Sequence, residues 1–143
     1  LSLGTGRWSD DYAIVNLFDT KNIEVDHIVT LREAWDSGAS SWTRAERRKF
    51  ATDSLNLSIT SSDINNKKSD KQVYDYAKWS PERFRSCDFA KRYASVKGEY
   101  SLTFTEKEIE FYLDIANRKG CPTITVTSKM FGGYKVAKWV KVR

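Results

Sequence analysis

One histidine occurs in the chain, His27, and it sits beside a carboxylate in the run Val25-Asp26-His27-Ile28-Val29. An imidazole ordinarily titrates near neutral pH, so it can take a proton from water, while an aspartate oxygen is a hard ligand for a divalent cation. The run Ile23-Glu24-Val25-Asp26-His27-Ile28-Val29 is rich in β-branched residues and alternates, which predicts a strand. Neighbours in a strand point to opposite faces. Asp26 and His27 can share one reaction only where the strand end twists or bulges, with one on a metal and the other facing substrate. A lone histidine is more often structural, so the downstream polar residues decide its weight. Asn56 falls in a second strand-like run, Leu55-Asn56-Leu57-Ser58-Ile59, and Asn65-Asn66-Lys67-Lys68-Ser69-Asp70-Lys71 follows on a helical segment. Glu24 and Asp26 are two apart on one strand face, but a paired-carboxylate glycosidase needs two acids across a cleft, and nothing else in the chain supports one.

These residues need elements to hold them. Thr30 to Trp35 reads as a helical turn stopped by Ser37-Gly38. Thr43 with Glu46 has the form of a capping box and opens a helix from Arg44 to Thr52. Ser62 to Lys68 is helical, with Ser61, Ser62 or Asp63 as its cap. Ser80-Pro81 predicts a helix start, after which Phe84, Cys87, Ala90 and Ala94 recur at helical spacing until Gly98. Thr105 with Glu108 makes a second box. Ile109, Tyr112, Leu113 and Ala116 form its apolar stripe, and Gly120 closes it. Thr123 to Lys129 and Tyr134 to Val142 read as a hairpin through Phe131-Gly132-Gly133. The first twenty residues read as loop. Trp8, Trp35, Trp42 and Trp79 stand at four element ends and are expected to pack as core, although each could stack on a base.

The string Val-Asp-His-Ile-Val, followed by Leu31, Glu33-Ala34-Trp35, Ser37-Gly38-Ala39 and Trp42, resembles the HNH-type, ββα-metal endonucleases. More narrowly it is similar to a branch of mostly secreted bacterial proteins. Their pattern runs Asp-His, Ala-Trp-x-Ser-Gly-Ala, Asn-Leu, Asn-x-x-Lys-x-Asp-Lys and Trp-x-Pro. Here these blocks are Asp26-His27, Ala34 to Ala39, Asn56-Leu57, Asn65 to Lys71 and Trp79-Ser80-Pro81. The likeness continues through Cys87, Lys97, Tyr100, Leu102, Glu108 and Cys121.

The resemblance implies His27 as general base and Asn56 as the brace for the loop and for the histidine's orientation. It implies Asp26 and Asn65 as ligands of one Mg²⁺ or Mn²⁺, with Asn65 against Asn66 left open by spacing. The usual third histidine of the motif is absent, since His27 is the only one, and Asn65 stands in. The reaction implied is non-specific hydrolysis of DNA, with RNA also open, leaving a 5′ phosphate and a 3′ hydroxyl. Arg32, Arg47, Lys67, Lys68 and Lys71 are candidate phosphate contacts, each weighed against an ordinary solvated helix face. Cys87 and Cys121 would meet if their helices are antiparallel, as a disulfide or as two buried thiols. A bridge would favour a secreted or extracytoplasmic site.

The chain has 143 residues, 40% hydrophobic, 30% charged and 13% aromatic, which excludes disorder as its main state. No stretch of about 18 apolar residues could span a membrane. With two cysteines a four-cysteine zinc site is excluded. The net charge is +5, carried by residues 81–143, and Lys129 to Arg143 hold five positive charges and no negative one. A polyanionic partner is favoured, although lysines on a terminal strand also protect a sheet edge.

The expectation is therefore one α+β domain over 1–143 that acts as a monomer. It would have a ββα-metal core at about 22–80 with an inserted helix, a two-helix support at 80–121 and a basic hairpin at 122–143. Two other readings stay open: a catalytically inactive basic module that binds nucleic acid, and a toxin or restriction nuclease domain cut from a longer chain. The first residue, Leu1, is not a start methionine, which suits a processed or excised chain.

Overall fold

The computed structural model describes residues 8–9, 11–12, 16–17, 22–78, 82–121, 125–131 and 134–141. Its elements mix helices with short antiparallel strand pairs, an α+β fold. Strand β3 (Ile23–His27) pairs antiparallel with β4 (Leu57–Ser61), in a register that sets Asp26 opposite Ser58 and His27 opposite Leu57. Helix α3 (Ser62–Lys68) leaves β4 without a loop, because the Ser61 hydroxyl accepts the Ile64 amide at 3.2 Å and caps it. The result is a strand–strand–helix unit.

The first twenty residues are more than loop. Strands β1 (Trp8–Ser9) and β2 (Asn16–Leu17) form a two-residue ladder, and Tyr12 is fully buried. Asp11 works as an extra strand residue. Its amide donates to the Ile59 carbonyl and its carboxylate accepts the Ile59 amide, both at 2.8 Å.

Residues 28–56 connect β3 to β4. Thr30 caps α1 (Leu31–Asp36) through a 3.0 Å bond from the Glu33 amide. Gly38 follows at φ 145°, a conformation that L side chains rarely adopt. Thr43 caps α2 (Arg44–Thr52), as its spacing predicts, by accepting the Glu46 amide. The strand expected at Leu55 begins two residues later. Asp53 accepts the Leu55 amide and holds Ser54–Asn56 in a 3-10 turn.

Short α4 (Val73–Tyr76) precedes the support helices α5 (Cys87–Glu99) and α6 (Glu106–Lys119). The α-helix expected from Ser80-Pro81 starts at Cys87 instead, capped by Ser86, and Glu82–Arg85 is a 3-10 turn. Trp79, Ser80 and Pro81 lie outside the described residues. The Thr105–Glu108 box is complete, and Gly120 ends α6 at φ 59°, ψ 43°. The buried stripe of α6 is Ile109, Tyr112 and Ile115, whereas Leu113 is exposed. Cys87 and Cys121 form a disulfide across the two helices. The C-terminal hairpin pairs β5 (Thr125–Phe131) with β6 (Tyr134–Lys141), and β6 contacts α5 and α6.

An aromatic core joins these parts. Phe84 meets Tyr12 and Tyr76 at centroid distances of 4.8 Å, and Phe89 at 5.2 Å. Burying such rings is the main favourable contribution, and offset or edge contacts add about 0.5–1.5 kcal/mol per pair. Beside the core lies a buried charge network. Lys97 Nζ contacts Glu33 Oε1 at 2.7 Å, Glu108 Oε2 at 2.9 Å and the Thr103 carbonyl at 2.8 Å. It fastens α1 to the α5–α6 pair.

Candidate active site

His27 ends β3, partly buried, with its ring turned toward the insert. Nε2 lies 2.8 Å from the Ala51 carbonyl oxygen on α2. A carbonyl can only accept, so this contact requires the proton on Nε2 and leaves the Nδ1 lone pair available. The ring is thus oriented by a backbone group. Nothing in the side-chain type of Ala51 signals that role.

Asn56 stands at the other end of the same loop and is fully buried. Its Oδ1 accepts the Val29 amide at 2.7 Å and its Nδ2 donates to the Val29 carbonyl at 3.0 Å. Its own carbonyl accepts the Ile28 amide at 2.9 Å. One side chain therefore satisfies both backbone groups of Val29, two residues beyond His27.

Asp26 points the other way, into the fold. Tyr12 donates to its Oδ2 at 2.8 Å, and Lys68 Nζ approaches the same oxygen at 2.9 Å. Lys68 also donates to the His27 carbonyl at 2.8 Å, and its ammonium sits 5.1 Å from the centre of the Tyr76 ring. Burial holds the Lys68 ammonium below its usual lysine range, opposed by the attraction of Asp26. Burial, reinforced by the Asp26 charge, pushes the Tyr12 phenol well above its usual range, so it remains a donor. Lys68 was a candidate phosphate contact, and the structure corrects this. Its side chain is 0% exposed and belongs to Asp26. Position 68 falls on the inner face of α3 with Asn65, one turn away.

Asn65 faces β3, and its Nδ2 donates to Glu24 Oε2 at 3.1 Å. Asn66 is exposed, which separates the two asparagines that spacing left open. The carboxylate and amide oxygens along this face of β3 are those of Glu24, Asp26 and Asn65, and Asp26 Oδ1 takes no hydrogen bond among the described residues. No cluster of three His, Cys, Asp or Glu side chains able to cage a metal occurs among the described residues. Carboxylate and amide oxygens are hard donors, the kind that Mg²⁺ and Mn²⁺ accept while keeping several waters.

Arg32, Lys67 and Lys71 are solvated. Arg32 pairs with Asp36 and Asp70, each at 3.4 Å, and Lys67 pairs with Asp63 at 3.2 Å. Lys71 Nζ donates to the Lys67 carbonyl at 2.9 Å. Exposed pairs of this kind contribute about 0–1 kcal/mol, so a phosphate can displace them cheaply. Arg47 donates to the Trp42 carbonyl, and its guanidinium lies 5.5 Å from the centre of the Trp35 ring. Trp42 packs on Phe50 and Tyr100, as expected of core, but Trp35 is 50% exposed and does not.

The family model for the C-terminal domain of GmrSD restriction endonucleases matches residues 3–115. The chain belongs to that HNH-type family. The match spans β3, the insert, β4, α3 and most of α6, so every site residue above lies within the family domain. An uncharacterized secreted protein of Arthroderma benhamiae is 31% identical over 107 residues, which are 73% of this chain and 51% of the relative. The chain thus spans about half the length of that curated relative. No solved structure matches.

Proposed function

We propose that this GmrSD-type domain is a ββα-metal endonuclease, dependent on Mg²⁺ or Mn²⁺, that hydrolyses DNA phosphodiesters without sequence specificity. One observation carries the reading: the Nε2–Ala51 contact leaves Nδ1 of His27 as the free base, at the end of a strand–strand–helix unit that also holds Asp26 and Asn65. The family's name supports nuclease chemistry.

In this mechanism His27 Nδ1 takes a proton from water as the water oxygen bonds to phosphorus. The bond from phosphorus to the 3′ oxygen breaks, and the leaving oxygen takes a proton from solvent. The products carry a 5′ phosphate and a 3′ hydroxyl. A divalent cation held by Asp26 Oδ1 and Asn65 would supply positive charge against the phosphoryl and leaving oxygens. Asn56 keeps the loop after His27 fixed, and Lys68 holds Asp26 from the inner side. Arg32, Lys67 and Lys71 offer displaceable contacts to flanking phosphates. Secretion is part of the proposal, supported by the disulfide and by the name of the fungal relative.

Plasmid nicking with Mg²⁺ or Mn²⁺, with and without EDTA, tests the reading. His27→Ala should lower the nicking rate by about 10²–10⁴ while the chain stays folded. The nicks should be sealed by a DNA ligase, which requires a 5′ phosphate and a 3′ hydroxyl. A near-parent rate for His27→Ala would overturn the assignment. Metal-independent DNA binding without cleavage would favour the inactive module.

A further inference from the structure

Helix α2 sorts its charges between two clefts. Glu46, Lys49 and Asp53 line one, together with Tyr100. The other, of about 340 Å³, is bordered by Arg44, Arg47 and Arg48, and no carboxylate lines it. Its apolar surface includes Trp35 and Leu31, each 50% exposed. Trp42, from the same insert, packs against the Phe50 and Tyr100 rings, whereas Trp35 stays half exposed. Arg47 is fixed at both ends of its contact, by the Trp42 carbonyl and by the Trp35 ring, so indole and guanidinium form a preset platform. The cleft is also adjacent to the candidate base. Ala51 lines it, and the Ala51 carbonyl holds His27.

From this geometry we propose that the Trp35–Arg47 cleft is a subsite for one unpaired nucleobase flanking the phosphate to be cut. The inference rests on the nuclease reading and adds to it a substrate class, single-stranded or locally melted nucleic acid. An indole with a guanidinium over one face offers its other face to any base, because each base has a π face, and Arg44 and Arg48 suit the phosphates on either side. Such a site confers strand preference without sequence preference.

The test compares two single-stranded 12-mers with the same phosphates, one bearing adenines and one abasic throughout. Binding is read by fluorescence anisotropy in EDTA, and the oligonucleotides are recovered intact. The parent protein should bind the adenine strand more tightly than the abasic strand. Trp35→Ala should weaken adenine-strand binding by about 5- to 150-fold, the equivalent of 1–3 kcal/mol of stacking, with abasic binding within twofold of the parent. Trp35→Phe should recover most of the loss. Equal weakening on both strands, or on neither, would overturn the subsite. If the parent nicks plasmid but Trp35→Ala shows no base-dependent loss, the subsite alone fails. If the parent neither binds nor cuts any strand, the nuclease reading fails with it.

Discussion

Asn56 offers the sharpest separation of architecture from chemistry at the site. Its side chain makes two bonds to the backbone of Val29, at 2.7 and 3.0 Å, and it has no exposure to water. Asn56→Ala orphans a buried amide and a buried carbonyl. Each costs about 1–3 kcal/mol, so the loss should be about 2–6 kcal/mol. At about 2–4 °C per kcal/mol for a domain near this size, the melting temperature should fall by about 4–24 °C. Asn56→Asp keeps an acceptor for the Val29 amide but sets a carboxylate against the Val29 carbonyl. Protonation makes that carboxyl a donor again, so its folded pKa should be raised. A raised folded pKa contributes stability at low pH that is lost as pH rises through it. The deficit of Asn56→Asp should therefore be larger at pH 7 than at pH 4.5, and that of Asn56→Ala should change less. Urea unfolding followed by far-UV circular dichroism, with the disulfide intact, measures both. Nicking by the folded fraction should fall in each variant, because the loop that ends in His27 loses its brace. A cost under about 1 kcal/mol for Asn56→Ala would refute the reasoning, as would full nicking by a variant that has lost the expected stability.

Three further outcomes follow from the same geometry. Asp26→Asn keeps an acceptor for Tyr12 and Lys68 but removes the charge of the proposed metal ligand, so Mn²⁺ affinity measured by calorimetry with an oligonucleotide present should drop while the fold survives; parent-like Mn²⁺ binding would exclude Asp26 as a ligand. Burial holds the Glu33 carboxyl above its ordinary range, opposed by Lys97 and reinforced by Glu108, so its contribution is full at acid pH and is lost as pH rises; Glu33→Gln should flatten the acid-to-neutral stability profile, and an unchanged profile would count against the network. Reducing Cys87–Cys121, separated by 34 residues in sequence, should cost about 4 kcal/mol in the chain-entropy model, read as a fall in the urea midpoint with a steeper slope as the unfolded chain expands.

Much of the frame was legible because its signals are local. Thr43, Ser61 and Thr105 announce their helices through a hydroxyl and an amide three residues on. Gly120 announces an end through its left-handed backbone. The Asp26–His27 alternation correctly implied two faces. Non-local partners were not legible. Ala51 acts through a carbonyl that every residue possesses. Tyr12 lies in a segment whose strands are two residues long, too short for any period to show. Lys68 reads as one more cation in Lys67-Lys68, and only the docking of α3 on β3 makes it the buried one. Trp35 was expected in the core because tryptophan usually is. It is half exposed, and the side chain over its ring is Arg47, twelve positions away.

The two faces of β3 are held by different parts of the chain, and this has a consequence for how the site works. His27 is fixed by Ala51 from the insert, and Asp26 by Lys68 from α3 and Tyr12 from the N-terminal segment. Lys68 bridges the two, since its ammonium touches both the Asp26 carboxylate and the His27 carbonyl. A shift of α3 along β3 would move Asp26 and Asn65 together with the strand end that carries His27. A shift of the insert would move the imidazole alone. Errors in the α3 docking should therefore lower metal affinity and rate in parallel, and errors in the insert should lower rate while metal affinity stands. Asn56 sits where insert and β4 meet and braces only the histidine side, which is why its loss should appear in nicking without a matching loss of Mn²⁺ binding.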